Sequence, residues 1–109
     1  MAQFCVAQVA CGNTEQAEAL AEQLVRQQYA ACVNIIPNIK SFYLWEGRLE
    51  KSDELLLIIK TRHDLIDDLV AFIQKEHGYD TPEIIILPIQ GGSKDYLNWL
   101  DKSMDRIPS

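Results

Sequence analysis

A two-layer α+β fold, with a sheet covered by helices on one face and by further copies of the same chain on the other, is predicted by three observations. First, Leu55 to Ile59 (LLLII) and Ile84 to Ile89 (IIILPI) are almost continuously apolar, whereas a strand with one wet face alternates apolar and polar residues. Second, the remaining apolar residues recur at helical spacing in segments too few to cover two faces. Leaving about four aliphatic side chains wet forfeits roughly 6–12 kcal/mol, comparable with a whole domain's stability of about 5–15 kcal/mol. Third, Ser41 to Leu49 carries Phe42, Tyr43, Leu44 and Trp45 in succession, an aromatic arm that overhangs any core one chain can build and invites pairing with a neighbour.

The elements follow in order. Residues 3–10 (QFCVAQVA) read as the first strand, and Cys11, Gly12 and Asn13 turn the chain. Asn13 is placed to cap the next helix with Gln16 three residues on, and Ala17, Leu20, Ala21, Leu24 and Val25 form its apolar stripe. Residues 32–45 (CVNIIPNIKSFYLW) read as a β-branched and aromatic strand, with Pro37 marking a bend or an edge position. Glu46, Gly47 and Arg48 supply a hairpin turn, and the return strand runs to about Thr61. A second helix then buries Leu65, Leu69, Phe72 and Ile73 and ends at His77, Gly78, Tyr79 and Asp80, with Gly78 as its C-terminal cap. Pro82 leads into the last strand, and Gly91, Gly92 and Ser93 into a third helix. The order βαββαβ plus a terminal helix is that of a ferredoxin-like sandwich. Its sheet order, 4132, puts the first strand beside the last and both main helices on one face.

At 109 residues and 48% hydrophobic content, residues 1–109 fit a single domain. A net charge of -6 and a pI near 4.7, without a basic stripe, argue against nucleic acid and anionic membranes as partners. No run approaches the roughly 18 apolar residues that span a bilayer, and the N-terminus, MAQFCVAQVACGN, lacks a basic segment and a long apolar stretch, so an unexported chain is expected. Cys5, Cys11 and Cys32, an odd set without CxxC spacing, suit reduced thiols in a cytoplasm.

The segments AACVNIIPNIKSFYLWEGRLE (Ala30 to Glu50), ELLLIIKT (Glu54 to Thr61), YDTPEIIILPI (Tyr79 to Ile89) and YLNWL (Tyr96 to Leu100) together resemble the CutA family of divalent-cation tolerance proteins, over nearly the whole chain. The resemblance implies a cytoplasmic homotrimer of ferredoxin-like subunits linked to tolerance of copper and other divalent metals, similar in architecture to PII-type signalling trimers. It also implies copper ligands at a cysteine near the end of the first strand and at a His-His pair just before a Pro-Tyr, of which only the second histidine is present here, Glu76 standing in place of the first. The matching residues here are Cys11 and, in the stretch Glu76, His77, Gly78, Tyr79, the histidine His77, with glycine in place of proline.

Topology supports that placement independently, because the first strand ends where the second helix delivers His77. Thiolate and imidazole are good copper ligands, and Glu76 can add an oxygen, so Cys11, Glu76 and His77 form the candidate site for copper or another divalent cation. The plainer reading makes Cys11 a small buried residue and His77 a helix-end group. Cys5 and Cys32 read as core thiols. Glu54, Lys60, Glu83 and Trp45 bracket the buried strands as cleft-lining groups or intersubunit anchors, and Lys60 could bind an anion. Gly91, Gly92 and Ser93 lack the phosphate-loop pattern, leaving a hinge with Ser93 as cap, and His63 has no assigned role. No nucleophile comes with a recognisable base and orienting partner, so catalysis is not expected. The competing expectation is a signalling trimer that binds a small ligand in intersubunit clefts.

Overall fold

A computed structural model describes residues 3–105. Its elements are β1 (Phe4–Cys11), α1 (Thr14–Arg26), β2 (Cys32–Trp45), β3 (Arg48–Arg62), a 3-10 turn (His63–Leu65), α2 (Ile66–Glu76), β4 (Ile84–Ile89) and α3 (Lys94–Ser103). The strands form one antiparallel sheet in the order β2-β3-β1-β4, the expected order read from the opposite edge.

Pairing register decides which residues face which layer. Val9 lies between Leu57 and Ile84, and Ala7 between Ile59 and Ile86. Because strand side chains alternate, Ala7, Val9, Leu57 and Ile59 share one face, and they are fully buried against Ala17, Leu20 and Leu24 of α1 and Leu69 and Ile73 of α2. The other face carries Val6, Leu56, Ile58, Ile36, Ile85 and Leu87 around Gln8, Asn34 and Lys60. Ile36, Ile85 and Leu87 there remain 43–47% exposed. At one end of that face α3 crosses, and Leu100 and Met104 close over Phe4 with Leu97, Ile89 and Leu65 beside them. The face expected to lie bare is therefore partly covered by the chain's own last helix.

Local structure follows the residue types. Asn13 Oδ1 accepts from the Gln16 backbone N–H at 2.8 Å and caps α1, as Ser93 Oγ caps α3 through Tyr96 N–H at 3.1 Å. Pro37 sits on edge strand β2 where the register shifts between Ile36 and Ile39, and Asn38 (φ 62°) takes up the left-handed conformation of that bulge. The arm closes on Glu46 and Gly47, both with positive φ, a two-residue turn whose twist matches that of the strands. Its apolar side chains Phe42, Leu44, Trp45 and Leu49 are 60–72% exposed.

Four local expectations are corrected. Cys11 belongs to β1 rather than to the turn. Val25 is exposed, since the α1 stripe ends at Leu24. Leu65 lies in the 3-10 turn and packs against the α3 cluster instead of the α2 core. Gly78 is not a left-handed cap: α2 ends at His77 in extended conformation (φ -74°, ψ 146°), and only glycine leaves room at 78 for the Gln16 side-chain amide.

Candidate functional site

The end of β1 and the end of α2 meet because both helices return over the same face of an antiparallel sheet. Cys11 is the last residue of β1, opposite Leu55, and has no exposed surface. The extended backbone at His77 swings the imidazole inward, where it is 8% exposed and Nε2 lies 3.8 Å from Cys11 Sγ. The same Nε2 lies 2.7 Å from the Ala10 carbonyl oxygen, which can only accept, while Nδ1 accepts from the Tyr79 backbone N–H at 3.1 Å. These two bonds fix the proton on Nε2. Tyr79 folds beside the ring, with centroids 4.8 Å apart, and donates its hydroxyl to Glu54 at 3.0 Å. The site is thus a chain of groups at one end of the sheet, with Cys11, His77 and Glu54 buried and Tyr79 40% exposed.

Its electrostatics favour the protonated thiol and phenol. Burial, reinforced by the negative charge of Glu54, pushes the Cys11 thiol up to about 11. Burial, then the hydrogen bond and charge of Glu54, push the Tyr79 phenol up to about 12. Gly12 makes the arrangement possible: a Cβ there would stand 2.7 Å from Tyr79 Oη. Gly12→Ala is expected to push the phenol off Glu54, cost roughly 1–2 kcal/mol for a lost bond to a nearly buried carboxylate, and lower the Tyr79 titration toward the ordinary phenol value. Chemical denaturation and an NMR titration of labelled tyrosine ring carbons check both parts.

The donor set suits a metal in part. Sulfur and nitrogen 3.8 Å apart can be bridged by an ion at ordinary metal–sulfur and metal–nitrogen lengths with an angle of about 120°. An ion there must displace the thiol proton and shift the imidazole proton from Nε2 to Nδ1, which breaks the bonds to Ala10 and to the Tyr79 N–H. Glu76 is exposed at the end of α2, and Glu54 is the carboxylate whose charge reaches the pair. Among the described residues no group of three or more His, Cys, Asp or Glu side chains is placed to hold a metal ion.

The remaining candidates are dispersed. Lys60 Nζ donates to Asn34 Oδ1, Glu83 accepts from Gln8 Nε2 at 3.3 Å, and Trp45 stands exposed on the arm. Cys32 starts β2 opposite Lys60. A cavity of about 570 Å³ lined by Gln3, Phe4, Pro88, Ile89, Gln90, Gly91 and Leu97 lies at the other end of β1 from Cys11 and holds no titratable side chain. Two arrangements escape a reading of the sequence. The bond between Tyr79 and Glu54 had a faint signal in Gly12, whose smallness admits the phenol. The approach of His63 Nδ1 to Cys5 Sγ, 3.7 Å, had none, since 58 residues separate the two.

Comparison with known proteins agrees with the fold. The sequence model of the family described as CutA1 divalent ion tolerance protein matches residues 5–103. The chain is 48% identical over 98 residues to "Protein CutA, chloroplastic" of Arabidopsis thaliana, covering 90% of this chain and 54% of that protein. It is 41% identical over 98 residues to the "Divalent-cation tolerance protein CutA" of Yersinia pestis, covering 88% of this chain and 82% of that protein. The chain thus spans about half the length of the plant relative and most of the bacterial one. The crystal structure of CutA1 from Oryza sativa superposes with a TM-score of 0.93 at 43% identity, covering 97% of each chain.

Proposed function

Since the chain belongs to the CutA1 divalent ion tolerance family, we propose that it serves divalent-cation tolerance as a cytoplasmic homotrimer that binds copper or a related ion and catalyses no reaction. The observation that carries the metal reading is the buried approach of Cys11 Sγ to His77 Nε2, 3.8 Å, a soft sulfur beside an imidazole. Assembly is supported by the apolar side chains left exposed on the sheet face opposite α1 and α2 and along the β2–β3 arm. A reducing compartment suits Cys5, Cys11 and Cys32, all free thiols. Binding without turnover suits a thiol pushed up to about 11 beside an imidazole with both nitrogens engaged, since neither is a ready nucleophile or base.

The pH dependence follows from the thiol. Well below 11 Cys11 carries its proton, and an ion must displace it, whereas the imidazole must move its own proton from Nε2 to Nδ1, giving up its bonds to Ala10 and Tyr79 but releasing no proton to solvent. Apparent copper affinity is therefore expected to rise about tenfold per pH unit, one proton being released per ion. Isothermal titration with copper(II) at several pH values in buffers of different ionisation enthalpy measures that proton. Binding that ignores pH, or that survives Cys11→Ser combined with His77→Ala, would sink the assignment.

A further inference from the structure

Strand β1 carries a cysteine toward each end, and each of the chain's two histidines places a ring nitrogen against one of those sulfurs: His77 against Cys11, and His63 against Cys5. The second pair is built from other elements and lies at the opposite end of β1. Cys5 is 2% exposed and pairs with Thr61 of β3 and Pro88 of β4. His63 opens the 3-10 turn directly after β3, and its backbone N–H donates to the Gln3 carbonyl at 2.8 Å, which anchors the residue beside the start of β1.

The two imidazoles differ in what they have left to give. His77 is buried with both nitrogens hydrogen-bonded. His63 is exposed, its Nδ1 faces the Cys5 sulfur at 3.7 Å, and its Nε2 makes no hydrogen bond among the described residues. The neighbouring carboxylate of Asp64 is held by Arg62 through two contacts of 3.0 Å, so it does not occupy the imidazole. An ion at ordinary metal–sulfur and metal–nitrogen lengths of about 2.3 and 2.0 Å would bridge a 3.7 Å gap with an angle of about 120°. That angle leaves room on the solvent side of His63 for an outside ligand, as in a trigonal site. Soft sulfur with one imidazole and few protein donors selects a thiophilic monovalent ion over an oxygen-seeking one.

We propose that Cys5 and His63 form a second metal site, which takes copper(I) between Cys5 Sγ and His63 Nδ1 with a water or a small solvent-borne ligand completing the coordination. Binding replaces the thiol proton by the ion, Cys5–SH plus Cu⁺ giving Cys5–S–Cu plus H⁺, with no change of oxidation state. The proposal stands apart from the Cys11–His77 reading and survives its failure.

The test is competition of the full-length chain, under reductant and without oxygen, against a chromogenic copper(I) chelator, with copper(I) itself as the probe. His63→Gln is the main variant, because an exposed residue can be replaced without disturbing the core; Cys5→Ser, verified as folded by circular dichroism, is the second. The expected result is that each variant withdraws one copper(I) fewer per chain than wild type, while His77→Ala keeps the ion bound at Cys5. X-ray absorption of the His77→Ala chain should show one sulfur and one nitrogen from the protein. Unchanged stoichiometry in His63→Gln, or no ion withdrawn by His77→Ala, overturns the proposal. Loss confined to Cys11→Ser and His77→Ala would support the first site and reject this one.

Discussion

The Ile85→Asp, Leu87→Asp double variant is expected to sediment as a lone 12.4 kDa chain at micromolar concentration, where the wild-type chain, as the proposed trimer, is expected at three times that mass. Both side chains sit on the face of β4 away from α1 and α2, 45% and 47% exposed, across from Gln8 and Val6. Covering each aliphatic residue the rest of the way is worth on the order of 1 kcal/mol, and the arm residues Phe42, Leu44, Trp45 and Leu49 add more because they are 60–72% exposed. A carboxylate in a dry interface has the opposite sign and a larger magnitude. Because neither position touches the α1–α2 core, the variant chain should keep its secondary structure. Trp45→Ala, far out on the arm, supplies a milder perturbation of the same contacts and is expected to raise the dissociation constant of the assembly. A wild-type chain that sediments as a monomer would sink the assembly reading outright.

Leu57→Ala is expected to lower stability by about 2–5 kcal/mol, the usual effect of emptying a leucine site that cannot collapse. Leu57 is fully buried at the centre of the sheet, between Val9 and Ile35, under α1 and α2. Its neighbour Leu56 points the other way, opposite Ala10 and Ile36. Leu56→Ala should therefore disturb the single chain far less and act mainly on association. Denaturant melts over a wide range of protein concentration separate the two: Leu57→Ala lowers the midpoint by a similar amount at every concentration, whereas Leu56→Ala lowers it where wild type is assembled and converges on wild type at concentrations where both are dissociated. Equal effects would mean that the two faces are packed alike, contrary to the register.

Much of the architecture is legible in the residues themselves. Asn13 followed by Gln16, and Ser93 followed by Tyr96, mark two helix starts that the structure caps as expected. Pro37 marks the bulge, Glu46 and Gly47 the hairpin turn, and the run LLLII a strand with both faces apolar. The misread positions share a cause. Val25, Leu65 and Gly78 sit at element ends, where periodicity no longer decides orientation and a tertiary neighbour does: Leu65 is drawn to α3, and Gly78 yields space to Gln16. The partial cover that α3 lends the second face was equally hidden, since apolar spacing along a helix does not name its partner.

The candidate site divides in the same way. That Cys11 and His77 come together follows from topology, because a sheet with two helices returning over one face delivers both to one end. That His77 spends both nitrogens on Ala10 and Tyr79, that Glu54 rather than Glu76 charges the surroundings, and that His63 finds Cys5, depend on rotamers and on pairing across the sheet. Periodicity, turn chemistry and charge are properties of neighbours along the chain, so the sequence alone determined the elements, their order and the excess of apolar strand surface. Hydrogen-bond partners, thiol ionisation and the identity of paired ligands are properties of neighbours in space, and only the folded chain, by bringing residues 58 and 66 positions apart within 4 Å, decided them.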